Sequence, residues 1–176
     1  APVLAAIGAK SVDENALLSF VISATDPDGN VLTYSTNALT LPTGASFNAL
    51  TRTFSWTPTY DQAGAYLNVH FEVSDGTLTD VEDITITVSN VNRAPVLTAI
   101  GNQSVNENVL LSFTLSATDP DGESLTYSAS GLPTGASFDP LTRVFVWTPT
   151  YDQAGSYLNV HFEVSDGTLT DAEDIT

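Results

Sequence analysis

The sequence predicts an all-β chain built as two tandem antiparallel β-sandwiches, and three of its features predict this. The chain repeats itself: residues 1–37 match 94–130, and residues 41–85 match 132–176. Roughly three-quarters of the aligned positions are identical, a closeness expected of units drawn from a longer array. Within each copy, apolar and polar residues alternate with the period of strands, and no helical period occurs anywhere. Turn residues separate the alternating runs into about seven short strands per copy, the pattern of a sandwich.

The first copy shows the elements in order. Leu18, Phe20, Ile22 and Ala24 alternate with Ser19, Val21 and Ser23, so one face is buried. Asp26-Pro27-Asp28-Gly29-Asn30 is a turn, with proline fixing φ and glycine free to take positive φ. Leu32-Thr33-Tyr34 is a short strand, Leu41-Pro42-Thr43-Gly44 a second turn, and Thr53–Trp56 a strand that Pro58 ends. In the longest strand Leu67, Val69, Phe71 and Val73 are expected inward, with Tyr66, Asn68, His70, Glu72 and Ser74 outward. Asp75-Gly76 turns the chain, and Ile84, Ile86 and Val88 line the inner face of the last strand.

The copies join at Ser89-Asn90-Val91-Asn92-Arg93-Ala94-Pro95, which sets expected domains of 1–93 and 94–176 with a linker at about 89–95. The second copy has no counterpart of Ile86-Thr87-Val88, so its last strand is expected to be cut short, as in an excerpt of a longer protein. The first copy has Ala38-Leu39-Thr40 where the second has only Gly131.

Twenty-one acidic residues stand against four basic ones, a formal net charge of −17. That balance excludes nucleic acid, whose binders need basic patches, and anionic membrane surfaces. The acids recur at fixed places in the repeat, which points to cations. No cysteine is present, so disulfide and thiol chemistry are excluded. No run reaches the length of a membrane helix, and membrane insertion is not expected.

Glu14-Asn15, Asp26-Pro27-Asp28-Gly29, Val73-Ser74-Asp75-Gly76 and the joint Asn90–Pro95 stand in the order found in the cadherin repeat. Leu132–Asp139 and Trp147-Thr148-Pro149-Thr150 resemble, more narrowly, the dystroglycan-type cadherin-like and Ig modules of prokaryotic surface proteins. The resemblance implies Ig/cadherin-like Greek-key sandwiches with calcium held between successive modules. It implies that Glu14 and Asp61 serve the central joint from the first copy, and Asn90 and Asn92 from the linker. Asp119, Asp121 and Asp166 would serve it from the second copy. By repetition Glu107 and Asp152 would serve a joint that follows, and Asp26, Asp28 and Asp75 one that precedes. Two departures reduce the implied ion count to one or two: Arg93 stands where an aspartate is usual, and the usual Asp-x-Glu pair is reduced to Asp61. An all-oxygen donor set of carboxylates and carbonyls suits calcium, and extracellular modules bind it with dissociation constants on the order of 10⁻⁴ to 10⁻³ M.

The bland readings of other residues prevail. Trp56 and Trp147 are expected to pack in the sandwiches and not to stack on sugars. His70 and His161 are expected on the surface, mid-strand, away from any nucleophile. Asn102-Gln103-Ser104 matches a glycosylation sequon that the first copy does not share, and carries little weight. The expectation is a non-enzymatic, calcium-stiffened stalk, adhesin or fibre at the outside of a prokaryotic cell. Its partners would be neighbouring copies of the module, with other chains in a fibre or a surface glycan as further ones. A carbohydrate-binding module predicts exposed tryptophans instead, and a self-assembling filament predicts that a neighbouring chain supplies the last strand.

Overall fold

The computed structural model describes residues 1–176 and contains strands and turns but no helix. The chain divides into two compact units, residues 1–91 and 92–176.

The first unit contains β1 (Val3–Leu4), β2 (Lys10–Asp13), β3 (Leu18–Val21), β4 (Ala24–Thr25), β5 (Thr33–Thr36), β6 (Ser46–Asn48), β7 (Thr53–Trp56), β8 (Gly64–Ser74) and β9 (Thr79–Ser89). One sheet runs β2-β9-β8-β5 and the facing one β3-β7-β6, with β1 paired to β4. All pairings are antiparallel except β2 with β9, where Lys10 meets Ile86 and Asp13 meets Ser89. Between the sheets lie Phe54, Trp56, Val69, Phe71, Val73, Ile84, Ile86 and Val88, all buried. Burying one such side chain stabilises the fold by about 1.5–3 kcal/mol. Phe71 meets Phe20, Phe47 and Phe54 edge-on at 5.7, 5.8 and 6.0 Å, so one ring ties both sheets together.

The long strand departs from simple alternation. Its pairing with β9 slips between Tyr66 and Val69, and Asn68 sits at φ 58°, a left-handed conformation asparagine tolerates. The bulge reverses the facing upstream of it. Leu67, expected inward, is 64% exposed, whereas Tyr66 is turned in, its ring edge-on to Trp56 at 4.8 Å. Asn159 repeats the left-handed conformation, at φ 60°, just before β16 of the second unit.

The second unit has β10 (Val96–Leu97), β11 (Leu111–Thr114), β12 (Ala117–Thr118), β13 (Thr126–Ser130), β14 (Ser137–Asp139), β15 (Val144–Trp147), β16 (Val160–Ser165) and β17 (Thr170–Ile175). Its sheets are β13-β16-β17 and β11-β15-β14, again with a short pair, β10 and β12. The aromatic arrangement recurs, Phe113 stacking on Phe145 at 4.9 Å with Phe162 edge-on to both. The loop two residues shorter than its counterpart turns on Gly131 at φ 66°, where a Cβ would lie 2.8 Å from the Asn159 carbonyl oxygen. Only glycine fits there.

Trp56 and Trp147 are 1% and 8% exposed, and each indole N–H donates to a backbone carbonyl, Thr43 at 3.2 Å and Thr134 at 3.3 Å. They are core residues, and neither indole is free for a sugar. His70 and His161 lie on the sheet surfaces, each Nδ1 2.7 Å from an aspartate across the strand pair, Asp83 and Asp174.

Candidate metal site

The acids of each unit divide into those that bind backbone and those left with oxygens to spare. Extending the inner face of β9 back from Ile84 gives Glu82 and Asp80, which point the same way as the core. Glu82 accepts from the amides of Ile7 (2.7 Å) and Gly8 (2.9 Å), and Asp80 from Leu4 (2.7 Å). Glu173 and Asp171 repeat this with Ile100 (2.6 Å), Gly101 (2.9 Å) and Leu97 (2.7 Å). These four carboxylates tie the opening segment of each unit to its last strand, alongside the short β1–β4 and β10–β12 ladders. In the sequence their only signal is the i, i+2 spacing in register with Ile84, and none of the four is among the expected site residues.

Glu14 follows β2 and is only 3% exposed, the one buried charged residue of the chain. Its Oε1 accepts from the Ala63 amide and its Oε2 from the Val91 amide, both at 2.9 Å. Glu14 therefore holds the chain at Val91, where the first unit ends. Asp61 and Asn90 are exposed. Asp26 accepts from the amides of Asp28 (2.8 Å) and Asn30 (3.2 Å) through Oδ1, while its Oδ2 is buried without a hydrogen-bond partner. Asp28 is exposed. Asp75 caps its turn by accepting from Thr77 and Leu78 at 2.8 and 2.7 Å, and those amides hold its carboxyl below the usual range.

In the second unit several of the proposed ligands come together. The turn after β12 places carboxylate oxygens of Asp119, Asp121 and Glu123 within 4.8 Å of one another. Asp119 Oδ1 accepts from the amides of Asp121, Gly122 and Glu123 at 2.8, 2.9 and 3.3 Å. Its Oδ2 is buried and unpartnered, as Asp26 Oδ2 is in the first unit. Burial pushes the Asp119 carboxyl up, but hydrogen bonds from Glu123 and from these amides outweigh it and leave it lowered. Glu123 is raised, first by the hydrogen bond shared with Asp119 and then by burial. Without a cation, the two neighbouring carboxylates repel each other.

Asp121 is taken by Arg93, whose hydrogen bonds hold its carboxyl well down. Asp166 accepts from Thr168 and Leu169 at 2.6 and 2.7 Å through Oδ1 and from Asn92 Nδ2 at 2.9 Å through Oδ2. The Leu169 amide, the strongest influence, leaves its carboxyl lowered. The Asn92 amide thus donates to Asp166, and its Oδ1 is left buried and unpartnered. Glu107 is half-buried, and Asp152 is exposed in the turn that repeats Asp61.

The donor chemistry fits calcium. Asp119 Oδ2 and Asn92 Oδ1 are hard oxygens that burial has deprived of water and that nothing in the protein satisfies. Glu123 was not among the expected ligands. Its signal lay in Asp119-Pro120-Asp121-Gly122-Glu123, three acids at alternate positions of one turn, where the first copy has Asn30 at the last place.

Paired, mainly antiparallel sheets, repeated in tandem and carrying this acidic turn, define a tandem Ig/cadherin-like repeat. The chain belongs to the family described as "Putative Ig domain", which matches residues 1–89 and 94–176. Human protocadherin-24 repeats EC1-2 superpose with a TM-score of 0.60 at 15% identity over 99% of this chain and 97% of that one. Protocadherin gammaB7 repeats EC3-6 give 0.53 at 15% identity over 99% and 51%. Among curated relatives, chitinase A of Pseudoalteromonas piscicida is 32% identical over 132 residues, 74% of this chain and 16% of its own length. Integrin beta-like protein C of Dictyostelium discoideum is 28% identical over 136 residues, 67% of this chain and 7% of its own. The chain thus spans only a small part of either relative. No helix of the structure is long and apolar enough to cross a membrane.

Proposed function

We propose that the chain is a calcium-stiffened structural repeat of a large extracellular surface protein, its role mechanical and not catalytic. The observation that carries this reading is the buried, unsatisfied Oδ2 of Asp119 in a turn where carboxylate oxygens of Asp119, Asp121 and Glu123 lie within 4.8 Å of one another, together with a second buried, unsatisfied oxygen on Asn92. A divalent cation supplies what all of them need: positive charge for the carboxylates and a partner for the orphaned oxygens. Asn92 lies at the start of the second unit, next to the linker. Once its side chain is held by an ion shared with the turn after β12, fewer residues remain free to flex. Repeated along an array, such sites make a rod that is firm at extracellular calcium and looser without it.

Calorimetry and small-angle scattering test this on wild type and on Asp119→Ala, with calcium and with chelator. Wild type should melt higher and scatter as a longer particle in calcium, and Asp119→Ala should respond little. An equal response from both proteins rules out these ligands.

The chitinase relative admits a second setting, a module within polysaccharide-degrading machinery. The buried indoles of Trp56 and Trp147 favour a spacer there over a glycan-stacking surface. Failure of the chain to sediment with insoluble chitin is the expected result.

A further inference from the structure

Arg93 stands two residues into the second unit and is held there by four hydrogen bonds. Its backbone amide donates to Asp121 Oδ2 at 2.7 Å. Its Nε and Nη2 both donate to Asp121 Oδ1, at 2.8 and 2.6 Å, and Nη2 also reaches the Pro120 carbonyl oxygen at 2.7 Å. The Asp121 side chain is 6% exposed and that of Arg93 29%, so the pair is largely withdrawn from water. Resting on the calcium reading above, we infer that Arg93 is a resident cation of this site. It occupies the place beside Asp121 that a further divalent ion would need, and it keeps the start of the module attached to the turn after β12 when calcium is low.

The physical basis is competition for one carboxylate. Asp121 has a guanidinium nitrogen pair on one oxygen and an amide on the other, and its charge is neutralised by a group that cannot lose its proton. A divalent ion approaching Asp121 meets that positive charge at close range in a poorly screened place. Asp119, two residues away, has no such occupant, and its Oδ2 is unpartnered. The turn is thereby divided into a half filled by the protein's own cation and a half available to metal. An ion in the Asp119 half leaves Arg93 in place, so ion count and docking are set separately. The consequence is an end of the module that is ordered in two stages, one built in and one dependent on calcium.

The test compares wild type with Arg93→Gln and Arg93→Lys in the full chain. Bound calcium is counted by equilibrium dialysis, and the melting of the second unit is followed in chelator and in calcium. Arg93→Gln should bind one more ion than wild type. In chelator its second unit should melt roughly 5 °C lower or more, since a domain of this size shifts about 4–8 °C per kcal/mol. Its calcium-induced rise in Tm should exceed that of wild type. Arg93→Lys, a point charge without the fork, should keep the wild-type ion count and melt between the two. Should Arg93→Gln fail to fold in chelator, rescue by calcium supports the inference and absence of rescue overturns it. An unchanged ion count overturns the role of Arg93 and leaves the calcium reading standing. Calcium bound by Arg93→Gln but not by wild type overturns that reading and upholds Arg93 as the occupant. No calcium on either protein overturns both.

Discussion

Replacing Glu14 by glutamine should destabilise the first unit by an amount its geometry fixes. The carboxylate accepts two backbone amides, Ala63 and Val91, each at 2.9 Å, from a position that is 3% exposed. Glutamine keeps one acceptor oxygen and turns an NH2 group toward the other amide. One charge-assisted bond becomes an ordinary one and one amide is left unpaired, a loss of about 2–4 kcal/mol. A domain of this size shifts by about 4–8 °C per kcal/mol, so the first unit should melt roughly 8–32 °C lower. The Trp147→Phe background leaves Trp56 as the sole tryptophan, and its fluorescence then reports the first unit alone. Chelator removes any contribution from metal. A shift under about 3 °C would show that the two bonds contribute nothing net and would refute the reasoning.

Glu123→Asn gives the second unit the residue that Asn30 provides in the first. A carboxyl whose folded pKa is raised contributes stability below its unfolded pKa and loses it as pH rises through the folded value. At neutral pH and without calcium the substitution should therefore raise the Tm of the second unit, while its response to calcium shrinks. Asp75, Asp139 and Asp166 are held low by backbone amides, so their contribution is present above the ordinary aspartate pKa of about 4 and fades as pH falls through the lower folded values. Acid titration followed by circular dichroism should show cooperative loss of structure below about pH 4, less steep in Asp166→Asn. Glu82→Ala removes the acceptor for Ile7 and Gly8, and should cost about 2–4 kcal/mol. Hydrogen exchange should quicken first at those two amides.

The fold was legible because burial on one sheet face forces alternation. Ile84, Ile86 and Val88 alternate and are buried, as are Phe54 and Trp56. The bulge at Asn68 was not legible, since a one-residue slip leaves composition unchanged and reverses the facing of only Tyr66 and Leu67. Of the acidic site, the Asp119–Asp121 turn could be read from its spacing, and its partners could not. Glu14 binds amides 49 and 77 residues away, and nothing local to Glu14 announces them. Arg93 looked like a departure from an acidic motif, yet it forms the hydrogen-bonded counterpart of Asp121. Asp80 and Glu82 were hidden by their charge, because inward-facing acids on a core strand are unexpected until the backbone amides they accept from are seen.

Calorimetric titration of calcium into wild type and Asp119→Ala addresses the central claim most directly. Wild type should take up ions with a dissociation constant on the order of 10⁻⁴ to 10⁻³ M, and Asp119→Ala should bind fewer, having lost the unpartnered oxygen. Identical isotherms, or no heat from either protein across that range, would contradict the account.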